Sequence, residues 1–251
     1  DLTLSKALQL STGSITSTGG TVSLDGGATL SNAGQLDVSG TTLKVSQALN
    51  LSGGTFTSNG SSVLDLKTAT TLTSNSPVSF KKVNLNNKVL TLGSAGTHLK
   101  LTDSNETLSL NNLALETGAG SLTLSGPLSL SGSSQLNSTA GSLTLSGPLS
   151  LSGSAQLNST GGTITLASGG SASSGTTVSI PGSTLVLQGG LSLSGSTLKA
   201  SGTTFTTNNK AFSLNSSSIL EVQGTQDLSG VVPDNTSTLR LGANATINDS
   251  S

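Results

Sequence analysis

Residues 120–140 read GSLTLSGPLSLSGSSQLNSTA, and residues 141–161 read GSLTLSGPLSLSGSAQLNSTG. The second block repeats the first with two changes, Ser134 to Ala155 and Ala140 to Gly161. Within each block the apolar residues alternate strictly with small polar ones: Leu122 and Leu124, Leu128 and Leu130, then Leu143 and Leu145, Leu149 and Leu151. Alternation places two side chains on one face of a short extended segment, so each pair predicts a strand of about three to five residues. Gly126-Pro127 and Gly147-Pro148 stand between paired strands, where Pro fixes φ and Gly admits positive φ, as a corner requires. Helical spacing is sustained nowhere.

The pattern extends outward from this duplication. Strands that begin near Leu2, Val22, Leu43, Leu64, Leu122, Leu143, Ile164 and Leu185 mark a period of 20 or 21 residues. Inside the repeat the apolar positions 122, 128, 136 recur as 143, 149, 157, and the same three-part layout fits Leu43, Leu49, Phe56 and Val22, Ala28, Leu36. Three apolar stations per period predict a coil with three short strands. A single coil cannot bury its leucines. Stacked about 4.8 Å apart, coils satisfy each other's backbone groups in parallel ladders and cover each other's apolar residues. The sequence therefore predicts an all-β chain: a single right-handed parallel β-helix of about 12 coils of about 21 residues, continuous over residues 1–251. Right-handed crossovers dominate parallel sheets, and the uneven 6, 8, 7 spacing does not fit a hexapeptide repeat.

Composition agrees with a thin core. Phe56, Phe80, Phe205 and Phe212 are the only aromatics, and Tyr, Trp, Met and Cys are absent, so Leu, Val, Ala and Ile must fill the interior. Only 8% of residues are charged and the net charge is -1, which argues against the charge-rich composition of disordered chains. Irregular coils are expected near 83–120, where TDSNET at 102–107 reads as a loop outgrowth, and near 203–251, where Val231-Val232-Pro233 interrupts the alternation. Lys44 and Asp65, 21 apart at outward positions, should stack as an exposed pair. Asp1-Leu2-Thr3-Leu4 enters directly in register, and Leu239-Arg240-Leu241 and Ala245-Thr246-Ile247 still read as strand. This predicts either an excerpt of a longer solenoid or ends that meet other copies.

Chemistry is sparse. Glycoside cleavage needs two carboxylates facing one groove, yet Asp25, Asp37, Asp65, Glu116, Glu221, Asp227 and Asp234 scatter among coils. The densest group of chemically able residues is His98, Lys100, Asp103 and Glu106, beside the irregular loop. His98 is the sole histidine and there is no cysteine, so neither a His-based triad nor a zinc site can be completed. The sequence thus predicts no catalytic residue, no cofactor and no metal. Ten Lys and Arg against eleven acids, without Tyr or Trp, oppose nucleic-acid binding. No apolar run approaches the roughly 18 residues of a membrane-spanning helix. The sequons at Asn137 and Asn158 follow from the Ser/Thr/Asn-rich repeat itself. Thr55-Phe56-Thr57, Thr163-Ile164-Thr165 and Thr204-Phe205-Thr206 could order water on a flat face, but they are not expected to recur coil after coil on one face, since Leu122 and Leu143 are flanked by Ser and Thr in mixed order.

LTLSGPLSLSGS at a period near 21 resembles the repeats of bacterial extracellular parallel β-helix proteins: autotransporter passengers, filamentous-haemagglutinin-like exoproteins and related surface or matrix proteins. The resemblance covers most of the chain and rests on composition and period. It implies secretion to the bacterial cell surface or beyond, a right-handed β-helix and an adhesive, scaffolding or filament-building role; the missing carboxylate pair and imidazole partners predict a chain that is not an enzyme. The expected partners are other copies of the chain, from the in-register ends, and a glycan or surface ligand. An ice-binding solenoid and a carbohydrate-binding or carbohydrate-cleaving β-helix are the alternatives. No outer-membrane barrel pattern and no Arg-Gly-Asp sequence accompany it.

Overall fold

The computed structural model describes every residue except 95, 203, 243–245 and 249–251. Its described residues form 36 short strands and no helix. Each strand pairs in parallel with the strand about one period away, so the chain is a β-solenoid with three faces. The second face is one unbroken twelve-stranded sheet, running from Leu8–Leu10 to Thr238–Leu241. Twelve passes make eleven coil-to-coil steps, about 53 Å at the usual strand spacing. The first face is a five-stranded sheet from Leu2–Leu4 to Lys82–Asn84, followed by a seven-stranded sheet from Leu108–Asn111 to Val231–Pro233. The third face carries sheets of three, seven and two strands.

Alternation sets the interior. Leu143 and Leu145 are buried while Thr144 between them is half-exposed, and the strands at 122–124 and 164–166 repeat this. Like stacks on like: Leu122, Leu143, Ile164 and Leu185 form one interior column, and Val22, Leu43 and Leu64 another, with Leu2 at its exposed end. Phenylalanines gather at two levels, with Phe56 and Phe80 at 6.2 Å and Phe205 and Phe212 at 5.4 Å between ring centres. At the corners, buried hydroxyls tie one coil to the one before. Ser62 donates to the Val38 carbonyl at 2.8 Å, Ser196 to that of Ala172 at 3.2 Å, and Ser183 to the Ser159 hydroxyl at 2.9 Å. A buried hydroxyl is tolerated only when bonded, so these serines suit a corner where a larger side chain would block the stack.

Two expectations are corrected. The columns beginning at Leu2 and at Leu122 lie on different faces, the first and the third respectively. The long coil between them moves the repeat's phase by one face: Leu90 lies opposite Leu115 and Leu99 opposite Leu122, steps of 25 and 23 residues. Leu128 consequently continues the first face and Leu136 the second, where Leu49 also sits. Lys44 and Asp65 are indeed register neighbours. Asp65, however, is only 7% exposed, and its carboxylate takes Lys67 at 3.0 Å and the Asn86 amide instead of Lys44. Val231–Pro233, which breaks the alternation, still forms a strand against Phe212–Leu214. Thr203 and Ala245 lie outside the described residues.

Close stacking makes certain glycines obligatory. A Cβ on Gly141 would lie 1.7 Å from the Gly120 carbonyl oxygen, which is backbone of the coil before and cannot swing aside. Gly141→Ala is therefore expected to lower the denaturation midpoint, and Leu145→Ala, at a fully buried position, to cost about 2–5 kcal/mol. Ser150→Ala, on the exposed surface, should leave chemical denaturation within about 0.5 kcal/mol of the parent.

Candidate functional site

The first face is interrupted once, and the interruption coincides with the longest coil step. Its ladder stops at Lys82–Asn84 and resumes at Leu108–Asn111. At the same level the other two faces are closed, with Leu90–Leu92 laddered to Ala114–Gly118 and His98–Leu101 to Ser121–Leu124. Between them the TDSNET loop leaves the coil. Thr102 and Asp103 still donate to the carbonyls of Phe80 and Lys81, at 3.0 and 3.2 Å, and the chain then swings out before returning at Leu108.

The result is a cleft of about 280 Å³ in the wall of the solenoid. Its floor is the core itself: Val83, Leu85 and Leu108 are 9%, 6% and 8% exposed, whereas Leu143 and Leu145 in the regular coils are at 1% and 0%. Asn84, Asn111, Thr107 and Ser109 supply polar lining. Two ion pairs bridge the lips, Lys82 to Glu106 at 2.9 Å and Lys81 to Asp103 at 3.7 Å. Both lysines precede their partners by about one coil.

The group expected at His98, Lys100, Asp103 and Glu106 is therefore divided. Asp103 and Glu106 line the cleft. His98 lies on the third face with Nε2 at 2.8 Å from the Thr123 hydroxyl, and Lys100 is exposed on that same strand. Lys81 and Lys82 were not singled out from the sequence. Their signal was the coil offset, which becomes usable only once the register of the irregular coil is known. No group of three or more His, Cys, Asp or Glu among the described residues is placed to hold a metal ion.

Three further carboxylates serve local structure. Glu116 accepts from the Asn137 amide at 2.7 Å, and Asn158 continues that row by donating to Asn137 at 2.9 Å. Asp37 is held below its ordinary pKa by the hydroxyl and backbone N–H of Ser39. Asp234 is held well below the usual carboxylate range by Ser237, the backbone N–H of Ser216 and Thr236, as a turn-capping residue.

From the cleft onward the surface is ordered in columns. Ser109, Ser129, Ser150, Ser171, Ser192 and Ser213 align along the first face. On the third face Thr123, Thr144, Thr165, Val186 and Thr206 form one row, with Thr163, Thr184 and Thr204 beside it. Thr163-Ile164-Thr165 and Thr204-Phe205-Thr206 thus share a face two coils apart, with Thr184-Leu185-Val186 between them, while Thr55-Phe56-Thr57 belongs to a separate sheet. Compared with known proteins, the chain matches no family model, no curated protein and no solved structure.

The two depressed carboxylates set a direction for pH dependence. A folded-state pKa below the unfolded value, about 3.9 for Asp, contributes stability that is present above that value and lost as pH falls through the folded one. The melting temperature should therefore decline on acidification below about pH 4. Asp234→Asn should reduce that decline, while lowering the melting temperature at neutral pH.

Proposed function

We propose that the chain is a non-enzymatic structural rod of the bacterial cell surface or extracellular matrix, a filament subunit or adhesin stalk. The observation that carries this reading is the second-face sheet, in which twelve strands are laddered without a break over a continuous apolar core. Such a body transmits length and stiffness and has no hinge along that face. It contains no Cys or Met to oxidise and only ten Lys and Arg for trypsin-like proteases. The cleft carboxylates support the non-enzymatic reading, because Asp103 and Glu106 are each engaged by a lysine. At the two ends of the described stack apolar side chains emerge, with Leu2 at 37%, Leu239 at 39% and Leu241 at 54% exposed. A further coil of the same pattern covers such an end, whether it comes from the same polypeptide or from another copy, and copies added this way extend a filament.

A second reading has one specific observation in its favour. The paired rows of Thr on the third face put hydroxyl and methyl groups about 4.8 Å apart along the rod and about 6.7 Å apart along each strand, a regular array free of charge over its last four strands. A rigid array of this kind orders water and can seat on ice. Its discriminating test is thermal hysteresis of the parent against the double variant Thr144→Lys, Thr165→Lys: hysteresis lost in the variant supports ice binding, and its absence in the parent eliminates it.

For the rod, prolonged trypsin treatment of the folded chain is expected to leave one large core, and electron microscopy to show straight rods. Rapid digestion to small peptides would sink the reading, as would compact particles without an axial repeat.

A further inference from the structure

We propose that the cleft receives an extended peptide strand of three to four residues, apolar at its inward positions and uncharged at its outward ones. It lies parallel between Lys82–Asn84 and Leu108–Asn111 and makes the first-face sheet continuous. This binding function is separate from the rod and does not depend on the chain being a stalk.

The backbone argues first. In a parallel ladder, alternate residues turn both N–H and C=O toward the same neighbour. The Lys81 N–H donates to Ser62 at 2.6 Å, back toward the preceding coil, so Lys82 and Asn84 present their backbone groups to the cleft. Across it, the N–H groups of Leu108 and Asn112 donate to Pro127 and Ser131 at 2.9 and 3.3 Å, toward the following coil. Ser109 and Asn111 therefore turn theirs back to the cleft. Two strand edges thus face one another with neither laddered to the other, and strand addition at an open edge draws its affinity from such main-chain groups.

The side chains argue second. Inside the first-face sheets each strand is laddered to one above and one below. Here Val83, Leu85 and Leu108 remain partly open and can receive an apolar side chain from an inserted strand. The lips neutralise their own charge through Lys81–Asp103 and Lys82–Glu106, leaving no net charge to select a charged guest. The Lys82–Glu106 pair crosses the opening with both side chains at least a third exposed, so displacing it costs little, about 0–1 kcal/mol. No aromatic ring lines the cleft to stack on a sugar, which favours a peptide over a glycan. Closure of the second and third faces at this level bounds the slot behind, and the sheets above and below it give the guest a continuous ladder.

The test uses the whole chain and a capped peptide Ser-Leu-Thr-Leu-Ser, the sequence of residues 121–125. Titration calorimetry is expected to give saturable binding, and hydrogen exchange to slow at Lys82, Asn84, Ser109 and Asn111 but not in the terminal coils. Ser109→Pro removes a cleft-facing N–H outside the existing ladder, a position where a strand edge tolerates proline, and should weaken binding at least tenfold while the fold persists. Glu106→Gln, which loosens the strap, should leave the affinity equal or higher and keeps the proposal testable if the proline variant does not fold. Absence of binding up to millimolar peptide would overturn the proposal. So would protection confined to the terminal coils, unchanged affinity in a folded Ser109→Pro chain, or loss of affinity in Glu106→Gln. Displacement of the peptide by neutral oligosaccharides would reassign the cleft to a glycan.

Discussion

Everything in this molecule answers to one constraint, the fixed strand-to-strand spacing of a parallel ladder. Once a coil must lie about 4.8 Å above the last, the interior can admit only side chains that tile at that spacing, and leucine over leucine does so. Corners have less room still. At Gly141 the carbonyl of Gly120 occupies the place of a Cβ, and at Ser62 and Ser196 a hydroxyl fits where it can bond a carbonyl of the preceding coil. The scarcity of aromatics follows from this. The four phenylalanines occur as two contacting pairs, so each ring finds another to fill the space it opens.

The same spacing turns outward-facing residues into lines. A serine at one outward position is an ordinary surface residue, but six at the same register form an array with the period of the ladder. The Gln and Asn rows on the second face behave likewise, with side-chain amides bonded along the rod at 2.9 Å between Asn158 and Asn137. These bonds sit on a half-exposed surface and add little individually. Their role is directional, since they couple neighbouring coils along the axis and match a surface that repeats.

How much of this was legible depended on whether the sequence stayed in step. In residues 120–161 a single period exposes strand, corner and interior together, and the pairing of Leu122 with Leu143 and Leu128 with Leu149 follows from counting. Counting fails across residues 83–120, because a loop's length does not say which side of the stack it leaves. The displaced phase placed Leu122 on the third face and hid the proximity of Lys81 and Lys82 to Asp103 and Glu106. Asp65 failed for another reason. Its register neighbour is Lys44, as counted, but Asn86 enters from the next coil with a left-handed backbone and captures the carboxylate, a choice that local geometry makes. The Thr rows were missed because steps of 21 and then 20 residues keep Thr163, Thr184 and Thr204 aligned without preserving an identical motif in each coil.

A perfect solenoid has translational symmetry, and symmetry works against a discrete site: whatever one coil recognises, the next recognises equally. Selectivity for a single guest therefore requires a coil that differs from its neighbours. In this chain the difference is an insertion, and its effect is confined by the faces that do not share it. The second and third sheets hold the two coils together, while the first is forced open over the core. That combination exposes apolar surface and unladdered backbone together, without disturbing the stack on either side. The Lys82–Glu106 pair across the lips shields the opening at small energetic cost, because both of its side chains are at least a third exposed. A break in the repeat is thus an element on which this rod can carry a location as well as a length.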